Sequence, residues 1–201
     1  VSRPAVREAL QRLSATRLVE VRHGGATTVR DFHRYAGLDL LPRLLVRDGE
    51  LDPATARSIV EARYAIAPGM VRLACRRGPR ASDDAEGLRG AVERIGAAAE
   101  PVSRQRAALA FWDHVVDLAD SVVFRLLFNN LRQAYEPAME ALAPLLDSEV
   151  SNISAYRAVA DAVLAGDADA ASAAVEAMLR PTTEAIVAFL DDYADDEGED
   201  R

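Results

Sequence analysis

The first thirty residues change from helical to strand periodicity, and this change limits the folds that are open to the chain. Ser2 is a good helix N-cap, and Pro4 suits the first helical turn, where its missing N–H costs nothing. The next apolar residues fall at helical spacing and form one stripe: Val6, Ala9, Leu10 and Leu13. The pattern therefore predicts a short amphipathic helix at the start of the chain.

Two short segments rich in β-branched residues follow this helix, over residues 18–21 and 27–29. Gly24 and Gly25 lie between them and supply the turn geometry of a β-hairpin. His23 precedes the glycines at the tip. A slim basic tip of this kind can enter the minor groove of DNA, so His23 and Gly24 are predicted DNA contacts.

Ser2, Arg3 and Arg7 lie off the apolar stripe, towards the N-terminal end of the predicted helix. A recognition helix presents its N-terminal residues to the major groove, and the arginine fork binds guanine or phosphate in a bidentate manner. The alternative is that these arginines form an ordinary solvated surface. We predict that the three side chains contact DNA.

The helix and hairpin together resemble the winged helix-turn-helix of the GntR family of bacterial regulators. The family signature runs S-R-x-x-V-R-E-A-L-x-x-L, followed by L-V and a glycine-containing wing. The matching positions are Ser2, Arg3, Val6, Arg7, Glu8, Ala9, Leu10, Leu13, Leu18 and Val19. The family places a further helix and turn ahead of this segment. We therefore expect residues 1–32 to be the C-terminal half of the DNA-binding domain, with its start missing.

Charge is distributed unevenly along the chain. Residues 1–34 carry seven arginines and three acidic residues, a net charge of +4, within a chain whose net charge is −8. A basic head on an acidic body is typical of a DNA-binding domain joined to a regulatory domain. The single cysteine, Cys75, excludes an intrachain disulfide and fits a reducing compartment. No apolar run approaches the ~20 residues of a membrane span, so we expect a cytoplasmic protein.

The rest of the chain predicts a mainly α fold: the partial winged helix-turn-helix joined to an antiparallel all-α bundle of about seven helices. No strand is expected after residue 37, Pro181 is expected to bend the last helix, and an acidic disordered tail is expected over 193–201. Residues 33–192 would form the regulatory domain. The expected helices cover residues 38–45, 52–77, 82–99, 102–120, 121–146, 149–165 and 167–192.

Residues 33–190 resemble the FCD domain, the effector-binding bundle of the FadR subfamily of GntR regulators. The resemblance rests on Glu61-Ala62-Arg63, Phe111-x-x-His114, the segment beginning at Tyr156, and the alanine- and glycine-containing pattern over 162–171. Many such domains hold a divalent metal with one Asp and three His. Here those positions read Ala110, His114, Tyr156 and Met178. The resemblance therefore implies neither a metal nor another cofactor.

The FadR branch also lacks the metal and binds a long-chain acyl-CoA, which makes such a ligand a hypothesis for this chain. In the resemblance, Arg63 would hold an anionic group of the effector, while aromatic and apolar side chains line a cavity. A hydrogen-bonded core histidine is an alternative reading of His114. The predicted effector-binding residues are Arg63, Phe111, His114, Tyr156, Met178 and Thr182.

These observations predict a homodimeric transcription factor that binds a palindromic operator and a small effector. The sequence carries no enzyme motif, so we do not expect an enzyme. A metal-dependent, carboxylate-sensing member of the same family remains an alternative, with a weak site at His114 and Asp117. A non-DNA-binding helical interaction protein is a second alternative, but it leaves the basic head unexplained.

Overall fold

Helix α1, Arg3–Ala15, and an antiparallel hairpin form the N-terminal part of the molecule. The hairpin joins β1, Val19–Glu20, to β2, Thr28–Val29, with Val19 opposite Val29 and Glu20 opposite Thr28. The computed structural model describes residues 2–22, 25–47, 49–79 and 82–199, with side chains described to residue 191. Within this part of the chain, the predicted order of helix and hairpin is confirmed.

A connector of small elements leads from the hairpin to the main body. Helix α2, Phe32–Tyr35, is followed by a 3₁₀ turn and by α3, Leu41–Leu45. A second antiparallel hairpin then pairs β3, Val46–Arg47, with β4, Glu50–Leu51. This hairpin was not expected. Gly49 has φ +89°, a left-handed conformation that lets the chain reverse in the gap between the helices expected over 38–45 and 52–77.

The body is built from seven longer helices among the described residues, so the predicted mainly α fold class is confirmed. Helices α4 and α10 pack along each other, and α6 contacts both α4 and α5. The helices are α4 Pro53–Arg77, α5 Ser82–Ala97, α6 Pro101–Ala119, α7 Val122–Tyr135, α8 Met139–Val150, α9 Ile153–Ala165 and α10 Ala168–Glu199.

Local signals in the sequence explain where these helices begin and end. Asp52 caps α4 by accepting a hydrogen bond from the Thr55 N–H at 2.8 Å, and Asn152 caps α9 through the Ala155 N–H at 3.2 Å. Gly166, with φ +72°, ends α9 in the left-handed conformation that glycine adopts without strain. The side chains that initiate helices are thus those that satisfy otherwise unpaired N–H groups.

Several helix boundaries differ from the sequence expectation. The helix expected over 121–146 is divided by a 3₁₀ turn, Glu136–Ala138, because Pro137 cannot donate the backbone hydrogen bond of a helix interior. The helical path then continues through Pro144 to Val150. The disordered tail expected over 193–201 is also corrected: the backbone remains helical to Glu199, since no proline or glycine interrupts residues 182–197.

The main core lies where α4, α5, α6, α9 and α10 meet. Leu88, Ile95, Phe111, Tyr156 and Leu179 are fully buried there. A smaller cluster of Leu45, Ala56, Ala134 and Ala138 joins the connector to α4 and the end of α7. Hydrophobic burial between the helices stabilises the body.

No helix of the described residues has the length and apolar character needed to cross a bilayer.

Candidate DNA-binding and effector sites

The N-terminus of α1 presents two arginines without ion-pair partners in the described part of the chain. Ser2 caps the helix by accepting a hydrogen bond from the Ala5 N–H at 3.4 Å, and Pro4 lies in the first turn. Arg3 and Arg7 are exposed beside this cap. Their guanidinium groups are therefore available to phosphates or base edges, as the sequence predicted.

The rest of α1 supports this orientation. None of its residues is buried, and Arg12 is paired with Glu8 one turn earlier. Arg3 and Arg7 thus differ from Arg12 in having no carboxylate partner among the described residues. Exposed cations beside the positive end of the helix dipole attract the anionic phosphates of DNA.

The hairpin beside α1 contains its own charged cluster. Arg30 and Arg22 contact Glu20 at 2.9 and 3.3 Å. Both hydrogen bonds lower the pKa of the Glu20 carboxyl, and the one from Arg30 has the larger effect. Arg22 remains largely exposed near the tip, although sequence reasoning did not select it. The predicted contacts His23 and Gly24 lie outside the described residues.

A second candidate site is an apolar cavity of about 130 Å³ between α4, α6, α7, α8 and α9, named here the central pocket. Its dimensions suit a small organic group rather than a single water molecule. The three aromatic side chains Trp112, Phe124 and Phe128 form part of its wall. The aliphatic lining consists of Ile59, Ile66, Ala67, Met70, Ala108, Leu109, Leu127, Leu131, Leu146 and Val150.

The polar part of the central pocket is built around an ion pair. Arg63 on α4 donates through Nη2 to Oε2 of Glu149 on α8, and the Glu149 side chain is only 2% exposed. Burial is the largest single effect and opposes the charged form of Arg63, but Glu149, with smaller contributions from Tyr156 and Tyr135, outweighs it, and the pKa of Arg63 is raised. Arg63 therefore keeps its charge, and Glu149 neutralises it within the pocket wall.

Two buried polar atoms in this wall have no hydrogen-bond partner in the described part of the chain: Nε of Arg63 and the hydroxyl oxygen of Tyr156. Trp112 contacts the Tyr156 hydroxyl without reaching normal hydrogen-bond geometry. Burial, followed by the charge of Glu149, raises the pKa of Tyr156 far above its ordinary value. Tyr156 is thus a neutral hydroxyl that can still form a hydrogen bond.

Tyr135 provides a contrasting hydroxyl in the same wall. The Tyr135 hydroxyl oxygen lies 2.8 Å from the side-chain amide of Gln105. The amide orientation that satisfies all neighbouring groups has the Gln105 NH₂ donating to Tyr135 and to the Met139 carbonyl. In that orientation the amide oxygen accepts from the Ala143 N–H at 3.3 Å. Burial raises the pKa of Tyr135 as well, partly offset by Arg63. Tyr135 is therefore anchored by the protein itself, unlike Tyr156.

The structure divides the predicted effector-binding residues between different places. Arg63 and Tyr156 line the central pocket. Phe111 lies in the core and stacks edge-on against Tyr156, with ring centroids 5.1 Å apart. Met178 and Thr182 are buried on α10 and do not line the pocket. The expectation that Arg63 is free to hold an anionic group also changes, because Glu149 already occupies it.

His114 lies on the opposite side of α6, against α5. A Cβ placed on Gly87 would come within 2.9 Å of the imidazole Cε1, so glycine makes room for this ring. The Arg94 Nη2 atom is 3.5 Å from Nε2 of His114. A guanidinium beside this nitrogen disfavours a bound cation.

The residues at the positions of the family metal site do not fit a divalent metal. Of the four ligand positions of that site, only His114 keeps a metal-binding side chain. The other three hold the apolar side chains of Ala110 and Met178 and the buried phenol of Tyr156. No group of three or more His, Cys, Asp or Glu side chains in the described part of the chain has an arrangement suited to a metal ion.

Several pocket residues were missed by sequence reasoning. Trp112, the single tryptophan, could have been singled out by its rarity, and Tyr135 by its aromatic character. Gln105 and Glu149 gave no such signal, since polar residues at these spacings normally face solvent. Their burial depends on which helices meet, and this is a property of the tertiary structure.

Two families match different parts of the chain. Residues 1–29 match the family described as bacterial regulatory proteins, gntR family, and residues 58–181 match the FCD domain. Both matches coincide with the regions that carry the exposed basic helix and the central pocket.

Named relatives extend this similarity over nearly the whole chain. The HTH-type transcriptional regulator Mce2R of Mycobacterium tuberculosis is 48% identical over 190 residues, covering 94% of this chain and 78% of the relative. An HTH-type transcriptional regulator of Mycobacterium bovis has the same identity and coverage. A fatty acid metabolism regulator protein of Serratia proteamaculans is 26% identical, over 67% of this chain and 54% of that protein.

Solved structures share the fold at lower identity. A GntR protein of Streptococcus agalactiae superposes with a TM-score of 0.55 at 19% identity, covering 92% of this chain and 82% of that one. McbR/YncC of E. coli gives a TM-score of 0.56 at 17% identity, with coverages of 92% and 80%.

Proposed function

The chain belongs to the GntR family of bacterial transcriptional regulators and carries an FCD domain, and from this premise we propose how it binds DNA and effector. As a family member it is a regulator rather than an enzyme. We propose that two copies form a homodimer, and that each places the N-terminus of α1 in the major groove at one half of a palindromic operator. Such a protein would act in the bacterial cytoplasm, where the DNA is located.

The observation that carries the DNA-binding proposal is the capped, exposed N-terminus of α1, where Arg3 and Arg7 have no ion-pair partner within the described part of the chain. Ser2 holds the first turn in place, so that the two guanidinium groups project from a defined backbone. The hairpin would approach the adjacent minor groove with Arg22, His23 and Gly24. These assignments predict base-specific contacts from α1 and sequence-independent contacts from the hairpin.

We further propose that the central pocket binds the effector without a metal. Its apolar walls and buried polar atoms are the composition expected of a small-molecule site. Binding there would change the packing of α4, α7 and α8 and thereby the geometry of the DNA-binding heads. A coupling of about 1–3 kcal/mol is sufficient to switch operator affinity by roughly 5–150-fold.

A long-chain acyl-CoA is the first effector to test. Leu109 and Arg132 line both the central pocket and an adjoining depression that also contains Arg106. Arg106 has no ion-pair partner among the described residues, whereas Arg132 is paired with Glu136 at 2.6 Å. An acyl chain in the pocket would place coenzyme A phosphates near Arg106, which is a favourable arrangement of charge.

The test follows fluorescence anisotropy of a labelled operator from the protein's own promoter while palmitoyl-CoA is added to the full-length protein. Release of the DNA at micromolar ligand, with no release by coenzyme A alone, is the expected result. Tight binding that acyl-CoA does not affect would remove the lipid assignment. The search would then turn to small carboxylates and to metal analysis of the purified protein.

A further inference from the structure

We propose that the central pocket recognises a neutral, largely apolar molecule through a carbonyl or hydroxyl oxygen, and that it discriminates against free carboxylates. The inference rests on the proposed function, namely that this pocket is the effector site. It adds the chemical class of the group that the polar wall binds. An ester, thioester, ketone or alcohol would satisfy the wall, whereas an ionised acid would not.

The charges of the polar wall oppose a ligand carboxylate. Two arginines line the pocket, and both are already paired. Arg132 is paired with Glu136, and the Nη2 atom of Arg63 is bound to the buried carboxylate of Glu149. A ligand carboxylate at this point would introduce a second negative charge beside Glu149 in a poorly solvated site. Like charges at short range disfavour each other strongly, so the ligand would have to lose its charge or displace Glu149.

Two polar atoms of the wall lack a hydrogen-bond partner among the residues that the structure describes. The Arg63 Nε–H has no acceptor there, and the Tyr156 hydroxyl has no partner of normal geometry. Tyr156 is fully buried and lines the pocket. One carbonyl or hydroxyl oxygen can accept a hydrogen bond from such donors, and it brings no charge with it. The unmet requirement of the wall is therefore an acceptor rather than an anion.

The rest of the pocket surface is mainly apolar. Trp112, Phe124 and Phe128 face the cavity together with aliphatic side chains. Tyr135 and Gln105 are polar, but they are bound to each other and leave the apolar character of the wall unchanged. The body of the ligand is therefore expected to be hydrocarbon, with its oxygen near Arg63 and Tyr156.

The experiment uses matched eight-carbon probes: octan-1-ol, methyl octanoate and octanoate. Trp112 is the single tryptophan of the chain and lines the pocket, so its fluorescence reports binding directly. We expect the two neutral probes to bind the wild-type protein at least about tenfold more tightly than octanoate, because Glu149 opposes a second anion.

A substitution at Glu149 removes the negative charge that opposes a ligand carboxylate. Glu149→Gln keeps the size of the side chain and a hydrogen-bond acceptor for Arg63, but removes the negative charge. Octanoate should then bind at least about tenfold more tightly than to wild type, while methyl octanoate changes by less than about threefold. Glu93→Gln is the matched control, since Glu93 is paired with Arg157 on an exposed surface. It should leave all three affinities unchanged.

The outcomes separate this inference from the proposed function. Wild-type protein that binds octanoate as tightly as the neutral probes would overturn the inference and leave the pocket as an effector site. The absence of any Trp112 response to all three probes would overturn both. The comparison among probes on wild-type protein decides the matter even where Glu149→Gln does not fold.

Discussion

Replacing Tyr156 with phenylalanine is expected to stabilise the unliganded protein, although the substitution removes a polar atom from the centre of the bundle. The Tyr156 side chain is fully buried, and its hydroxyl forms no hydrogen bond of normal geometry with any residue that the structure describes. An unpaired buried hydroxyl costs about 1–3 kcal/mol. Its removal leaves the ring against Phe111 unchanged, so the packing loss is confined to one oxygen atom.

The net effect should be an increase of about 1 kcal/mol in the free energy of unfolding, or a rise of roughly 2–4 °C in Tm for a chain of this size. Urea unfolding followed by circular dichroism and by Trp112 fluorescence measures it, with coincidence of the two curves as the test of two-state behaviour. The same substitution should weaken methyl octanoate binding, because the hydroxyl is then absent.

Tyr135→Phe is the matched control. Its hydroxyl is hydrogen-bonded to Gln105 at 2.8 Å, so its removal should destabilise the protein by about 0.5–1.5 kcal/mol. The two substitutions are chemically identical and their predicted signs are opposite. If Tyr156→Phe destabilised the protein as much as Tyr135→Phe, the Tyr156 hydroxyl would have a partner in the unliganded state and the reasoning would be refuted.

Three further predictions follow from the remaining geometry. Arg7→Ala should weaken specific operator binding by about 1–3 kcal/mol, measured by anisotropy, while Arg12→Ala should have a smaller effect; equal losses would contradict the assignment of α1. Gly87→Ala should be less stable than Gly69→Ala by about 1–3 kcal/mol, because the new methyl group meets His114 whereas Gly69 faces open space; equal stability in urea would show that the ring moves aside freely. The free energy of unfolding should fall above about pH 10, since burial raises the folded-state pKa of the two pocket tyrosines while the unfolded chain ionises from that pH; a flat profile across this range would contradict the raised values.

The N-terminal site was predictable because its signals are local. The cap by Ser2, the free arginines Arg3 and Arg7, and the hairpin all depend on residues close together in sequence. The second hairpin lies over residues 46–51, in the gap between two expected helices, where no pattern predicted a strand; Gly49 turns the chain there at φ +89°. Local patterns predict an element, but a single backbone conformation can redirect it.

The effector site shows the limit of such reasoning. Sequence resemblance selected Arg63 and Tyr156, and both line the central pocket. It also grouped His114 and Met178 with them, although His114 lies against α5 and Met178 is buried outside the pocket wall on α10. Helical periodicity identifies which face of a helix is apolar, but it does not state which neighbour covers that face.

The sequence by itself determined an exposed basic helix, a hairpin, a mainly α fold and the family to which the chain belongs. Only the tertiary structure decided that the Arg63 charge is neutralised, because its partner Glu149 is 86 residues away on another helix. It also decided that the Tyr156 hydroxyl has no hydrogen-bond partner among the described residues. Whether a buried charge or hydroxyl finds a partner depends on how helix faces meet in space, since the free energy of a polar group depends on the atoms around it and on their distance from water.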